Sequence, residues 1–257
     1  MRNYLIVVEG AHDIAVVEKL LKLNGINKRI VSAENLPKVW KRTIPSVFPF
    51  AGGKLDRITP IPSFVMNDEV SVAIKNAGSD TEIMNVLQQM LDTMSYEEKD
   101  NLDAIMLLCD ADVDTADTKR RKMLASYVEK DDFVIEESEK EIFIDLDVKK
   151  VPAYIYIFPN NEDEGNLENL LLEAAETVYP ELLALANDYV KQASEFQTIL
   201  KKPQYEKKAT IGCIVNTMKP GKANQVSILD DEWVSEKTLQ VCKMLHSLDS
   251  ALKEMIS

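Results

Sequence analysis

Short, β-branched apolar runs recur along the chain, and most lead through a turn into a stretch whose apolar residues return every three or four positions. The first run is Tyr4 to Val8. Gly10 follows, then a helical pattern carried by Ile14, Val17, Leu20 and Leu21 that stops near Asn24-Gly25. Lys28 to Ser32 offers a second strand. Glu69 to Lys75 predicts another, ahead of a helix over Ser79 to Met94 capped by Ser79 or Asp80. Ala104 to Cys109 reads as a buried strand, Asp110 to Asp114 as its loop and Thr115 to Glu129 as the helix after it. Ala153 to Phe158 is a further strand, and Asn166 a cap for a helix over Leu167 to Thr177. Beyond it the pattern is helical throughout: Pro180 to Leu200, Tyr205 to Met218 and Ser235 to Ile256. Strands alternating with helices predict an α/β fold with a mainly parallel sheet flanked by helices. A helical C-terminal part over about residues 178–257 completes a single domain.

The texture changes between Asn35 and Asp68, where prolines, Gly52-Gly53 and aromatics replace periodicity. This predicts an irregular or hairpin-bearing insertion. Trp40, Phe48, Phe50 and Phe64 within it are expected to form a small satellite core, because an aromatic-rich segment must bury something to be ordered.

With 257 residues and 46% hydrophobic content the chain has ample material for a core. No apolar stretch is long enough to span a bilayer, so no membrane role and a cytoplasmic setting are expected. Cys109, Cys213 and Cys242 form no CxxC pair, which argues against a zinc site or disulfide framework. The 30 basic against 43 acidic residues give a net charge of −13, arguing against broad adhesion to nucleic acid. Local basic surfaces remain available at Lys119-Arg120-Arg121-Lys122, Lys201-Lys202, Lys207-Lys208 and around Lys219 and Lys222. Met84, Met90, Met94, Met244 and Met255 lie in amphipathic patterns and are expected to pack.

Chemistry is concentrated in three acidic segments: Glu9 and Asp13 in IVVEGAHD, Asp110 and Asp112 in IMLLCDADVD, and Glu168 in PNNEDEGNLENLL. The first two follow apolar runs at their carboxyl ends, where open α/β sheets build sites. Carboxylates gathered there repel one another unless a cation lies between them, and oxygen-rich sites suit Mg²⁺ or Mn²⁺. Taken singly, each segment also has a plain structural reading: Asp13 as a helix cap, Glu9 as a solvated side chain, Asp-Ala-Asp as an acidic turn. Asp110 and Asp112 are alternate residues on a strand-end segment, which sends both side chains to the same side.

Together, Glu9-Gly10, Asp13 and Asp110-Ala111-Asp112 resemble the Toprim domain of topoisomerases, bacterial primases and OLD-family nucleases. The downstream Leu167-Glu168, with Pro159 and Gly165 before it and Lys207 or Lys208 after it, is similar in order to OLD-type nucleases and to small standalone Toprim-like proteins. The resemblance covers roughly the first 210 residues and leaves the insertion unexplained. It implies a metal-dependent nuclease acting on DNA or RNA, with Glu9, Asp13, Asp110, Asp112 and Glu168 as ligands of Mg²⁺ or Mn²⁺. One ion would lie among Glu9, Asp110 and Asp112, a second among Asp13, Asp112 and Glu168, clamping an in-line displacement at phosphorus. Glu9, Asp110 and Asp112 would carry the catalysis, with Lys207 or Lys208 neutralising charge on the phosphate oxygens. Asp114 is a looser candidate.

The chain departs from the larger relatives: there is no room for a topoisomerase gate, no zinc module of a primase and no GxxxxGK[ST] of an ATPase. A standalone module is expected, with a separate protein partner or self-association as options. Two competing readings stand beside it. One is a non-catalytic Toprim-like binding module. The other is a haloacid-dehalogenase-like phosphatase, which would want Thr where Asp114 stands. An EF-hand is excluded by Thr115 and Arg121 at the positions that require Gly and Glu.

Overall fold

A computed structural model describes residues 1–45, 61–128, 134–137 and 142–257. In chain order the elements are β1 (Arg2–Val8), α1 (Ala11–Leu23), β2 (Lys28–Arg29), β3 (Ser63–Met66), β4 (Val70–Asn76), α2 (Ile83–Thr93), α3 (Tyr96–Asp100), β5 (Ala104–Asp110) and α4 (Ala116–Val128). There follow β6 (Val134–Glu137), β7 (Ile142–Asp145), β8 (Lys150–Phe158), α5 (Leu167–Val178), α6 (Pro180–Ala193), α7 (Pro203–Met218), α8 (Asn224–Asp230), α9 (Glu236–Val241) and α10 (Lys243–Ile256).

The strands form one sheet in the order β2-β3-β4-β1-β5-β8-β7-β6. The central four, β4, β1, β5 and β8, are parallel; antiparallel pairings β3 to β4, β2 to β3, β7 to β8 and β6 to β7 close the two edges. The strand alternation explains why the apolar runs are unbroken. Tyr4, Ile6 and Val8 of β1 face one core with α1, α5 and α10, while Leu5 and Val7 face the other with α2 and α4. Strands covered on both faces read as continuous apolar runs. The α/β expectation therefore holds.

The helical C-terminal part is built into the first core. Trp233, Leu245, Leu248, Leu252 and Met255 are buried with the β1 and β5 side chains. Arg2 donates to the carbonyls of Ile256 (2.6 Å) and Ser257 (2.7 Å), which ties α10 to the start of the central strand. Among the described residues no helix is long and apolar enough to cross a membrane.

Differences from the sequence-based expectations are local. The strand over Lys28 to Ser32 shrinks to two residues, and the helix at Ser79 begins as a 3₁₀ turn, Asp80–Glu82. The long final helix breaks at Cys242, whose backbone is extended. The short β6 and β7 and the seven-residue α8 were not legible, since pieces of that length carry too few apolar repeats. The insertion contributes a 3₁₀ helix, Lys38–Thr43, and β3, which hairpins onto β4; residues 46–60, with Phe48 and Phe50, lie outside the described residues. Trp40 and Phe64 pack with ring centroids 6.4 Å apart, joined to the α2 and α4 core rather than to a satellite of their own. The Trp40 indole N–H is satisfied by Ser71 Oγ at 2.9 Å.

Candidate metal centre

Parallel pairing of β1 with β5 sets Val8 opposite Leu108, so Glu9, one residue on, and Asp110, two residues on, emerge at the same carboxyl edge. The Asp110 N–H donates to Glu9 Oε2 at 3.2 Å. β8 runs beside β5 with Phe158 opposite Asp110, and its loop returns the chain so that α5 starts over the same edge. The Leu167 N–H, in the first turn of α5, donates to Asp110 Oδ1 at 2.9 Å. A helix N-terminus is where a carboxylate is favoured.

Asp13 lies in the first turn of α1 and is 5% exposed, with Oδ2 accepting from the Gly10 N–H at 2.7 Å. The capping role is therefore real, and it places this carboxylate against the acidic edge. Burial, then the neighbouring Glu9 and Glu168, push Asp13 up to about 7, against the single Gly10 hydrogen bond. Asp110 is pushed up to about 9 by burial first and then by Asp13 and Glu9. Glu9 is raised by burial and by Asp80 and Asp112, and Glu168 by burial opposed by Lys208. Four carboxyls thus resist ionising together.

Glu168, 5% exposed, has Oε1 at 3.8 Å from Lys208 Nζ. Its Oε2, like Asn166 Oδ1 two residues earlier, is buried with no hydrogen-bond partner among the described residues. An orphaned buried carboxylate oxygen is costly and calls for a ligand.

Asp112 departs from the alternation expected of it. β5 ends at Asp110, and Asp112 takes a left-handed conformation (φ 57°) fixed by its N–H to the Gly165 carbonyl at 2.7 Å. Gly165 itself has φ 135°, and a Cβ there would meet Asn169 Oδ1 at 2.9 Å. The turn separates the two aspartates. Asp110 addresses the start of α5, whereas Asp112 Oδ2 lies 3.9 Å from Lys119 Nζ on α4. Among the described residues no three His, Cys, Asp or Glu side chains stand close enough to hold an ion as they are placed. Glu9, Asp13 and Asp110 each accept a hydrogen bond from a backbone N–H.

The two lysines divide. Lys207 Nζ donates to Asn169 Oδ1 at 2.8 Å, the atom that also accepts from the Asn166 N–H, so Lys207 braces the α5 start rather than facing a carboxylate. Lys208 is the one beside Glu168. Asp114 is taken up by Lys122 at 2.7 Å. Sequence reasoning missed Lys119 and Asp80. Lys119, its side chain 12% exposed, is 2.7 Å from Asp80, whose sequence context suggests only a helix cap. The signal available was a lysine in the first turn of the helix that follows Asp-Ala-Asp, hidden in a run of four basic residues.

The residues present match a divalent cation in donor chemistry and in mutual repulsion, but as placed they are not gathered around a common point. A family of proteins of unknown function, DUF3226, matches residues 3–251. No curated protein matches the chain. The crystal structure of a hypothetical protein, PH0156, from Pyrococcus horikoshii OT3 is similar over 100% of both chains, with a TM-score of 0.58 and 18% identity, a likeness of fold.

Proposed function

We propose that this chain, which belongs to the DUF3226 family, is a divalent-cation-dependent phosphodiester hydrolase acting on nucleic acid. Glu9, Asp110, Asp112 and Glu168 would hold Mg²⁺ or Mn²⁺, with Asp13 behind them. The observation that carries the reading is the buried, unpartnered Glu168 Oε2 beside carboxyls whose ionisation burial and mutual repulsion suppress. A cation held there would lower the pKa of a bound water and offset negative charge on the phosphate oxygens. The protein groups supply the rest. Lys208, half-exposed next to Glu168, can reach the non-bridging oxygens of a phosphate. Glu9, whose pKa burial raises, would be the carboxylate that takes a proton from the attacking water. Lys207 and Asn169 keep the α5 start, and so Glu168, in place.

The test is calorimetric titration of the full chain with Mg²⁺ and Mn²⁺, run beside cleavage assays on DNA and RNA. Binding together with metal-dependent cleavage, both lost in Asp110→Ala, is the expected result. Binding without cleavage assigns a cation-dependent binding module instead, and absence of binding removes the metal centre.

A further inference from the structure

We propose that the groove between α6 and α7 is a self-association surface, and that its occupant is the same face of a second copy of this chain. Exposed large apolar side chains stand singly along most of the chain. Five of the twelve found among the described residues, however, fall within 185–205: Leu185, Tyr189, Phe196, Ile199 and Tyr205. Phe196, in the turn that ends α6, is 93% exposed. Leu182, Leu185, Ala186 and Tyr189 return every three or four residues and so share one face of α6; Ala209, Gly212, Cys213 and Asn216 do the same on α7. The two helices, bonded midway by Thr210 Oγ1 donating to Asn187 Oδ1 at 3.3 Å, enclose a groove of about 620 Å³.

Gly212 leaves this groove open without serving the fold. A glycine inside a helix costs stability relative to alanine, and a Cβ at this position would meet nothing within 4 Å. Among the described residues nothing requires glycine there; its missing side chain lowers the floor, so that another surface can approach closely. Leu185 and Tyr189, both more than half exposed, project from the rim, so the same patch offers a recess and the means to fill one. An interface about a two-fold axis needs that combination, because each copy presents the identical surface. The charges on the two flanks are of opposite sign. α6 and the turn after it expose Glu181, Asp188 and Glu195 against Lys191. α7 and the turn before it expose Lys201, Lys202 and Lys208, the last held loosely by Glu168 at 3.8 Å, against Glu206. A second copy laid with its α6 over the first copy's α7 brings carboxylates to ammonium groups twice, once on each side of the axis. A separate partner with a uniformly charged helix would meet attraction on one flank and repulsion on the other.

Sedimentation equilibrium of the full chain from about 1 to 200 µM, in about 0.15 M NaCl to screen the net charge of −13, tests the proposal. Wild type should pass from monomer to dimer within that range. Gly212→Leu fills the recess and Tyr189→Glu sets a charge on its rim, and each should weaken dimerisation by about tenfold or more. Val31→Glu, at another exposed apolar position, beside β2, should leave it unchanged. A chain carrying Glu181→Lys with Asp188→Lys should dimerise several-fold more weakly, and so should one carrying Lys201→Glu with Lys202→Glu. An equimolar mixture of the two should regain wild-type affinity, since each flank then meets its opposite. Wild type that stays monomeric to about 200 µM overturns the proposal and leaves the groove to a different macromolecule. A dimer that Gly212→Leu and Tyr189→Glu leave intact overturns it by placing the contact elsewhere, and a mixture no tighter than its separate components overturns the match of α6 to α7. Should Gly212→Leu fail to fold in a thermal melt, Tyr189→Glu decides in its place. No metal ion or substrate enters the measurement, so its outcome is independent of the hydrolase reading.

Discussion

The Asp110→Asn substitution should stabilise the metal-free protein at alkaline pH while removing its response to divalent ions. Burial, then Asp13 and Glu9, push the Asp110 carboxyl up to about 9 in the folded chain, against about 3.9 for an unperturbed aspartate. A carboxyl raised by folding contributes fully below its unfolded pKa, and that contribution is lost as pH climbs towards the folded value. Between pH 5 and pH 8 the unfolded group is ionised and the folded one is protonated, so folding takes up one proton. Stability then falls by about 1.4 kcal/mol per pH unit, or about 4 kcal/mol over the interval. That is a large share of the roughly 5–15 kcal/mol that holds a typical domain together. Asp13, raised to about 7, acts in the same direction between pH 5 and pH 7. The substituted amide keeps an Oδ1 acceptor for the Leu167 N–H, so the comparison removes the charge and little else. The assay is urea unfolding in EDTA at pH 5, 6.5 and 8, for wild type and Asp110→Asn. Subtracting the two curves cancels the groups they share, Asp13 included to the extent that it is uncoupled. The wild type should lose at least about 2 kcal/mol more than the variant between the end points, the reduction from about 4 allowing for relaxation around the charge. Addition of Mg²⁺ at pH 8 should restore that loss in wild type alone. Parallel pH profiles for the two proteins would refute the reasoning, because the Asp110 carboxyl would then ionise as freely when folded as when unfolded.

Lys208→Ala should lower metal-dependent turnover by about tenfold or more, as removal of a phosphate-facing cation does. The same change should raise the pKa of His12, which burial and then Lys208 hold down, and a histidine NMR titration reads this without any substrate. Lys207→Ala should instead cost about 1 kcal/mol of stability through the lost bond to Asn169, with turnover reduced less; an equal loss of turnover in both variants would undo the division of roles. Gly165→Ala should destabilise by about 1–3 kcal/mol, since φ 135° excludes a side chain and the new Cβ would displace Asn169. It should also weaken Mn²⁺ binding by releasing Asp112, and unchanged affinity would show that the Asp112–Gly165 bridge does not position the carboxylate.

The central architecture was legible because β1, β5 and β8 are buried on both faces and write themselves as unbroken apolar runs, each with its helix after it. Once those strands lie parallel and adjacent, the residues at their carboxyl ends have to be neighbours. The pairing of Glu9 with Asp110 therefore follows from local pattern plus topology. Glu168 follows less directly, through the loop that brings the α5 start over β5. The orientation of Asp112 was not legible, because it depends on a left-handed backbone held by Gly165, fifty-three positions away in the sequence. Periodicity assumed an extended segment and so sent both aspartates one way. The same limit hid the Lys119–Asp80 pair. It is made by residues on α4 and on the turn before α2, each with an adequate local role as a solvated lysine or a helix cap, and only their meeting gives them another. Lys207 and Lys208 illustrate the point within a single step of the chain: adjacent on a helix, they are about 100° apart around its axis, and one braces an asparagine while the other faces a carboxylate.

Purely structural acidic clusters in folded proteins are compensated, because an unpaired buried charge costs several kcal/mol and is readily replaced by an apolar side chain. Here the compensation is graded in space. Asp114 has Lys122, Asp80 has Lys119, and Glu168 has half of Lys208; Asp112 shares Lys119 at longer range. The innermost pair, Asp13 and Asp110, has backbone N–H donors and no salt bridge among the described residues, and its carboxyls are pushed up to about 7 and about 9. A row of carboxylates that is neutralised at its rim and left open at its centre has the charge distribution that the proposed cation site requires. It also makes the folded protein most stable in acid, where the centre is protonated, and a divalent ion, if it binds as proposed, should act most strongly in mild alkali, where the centre is not.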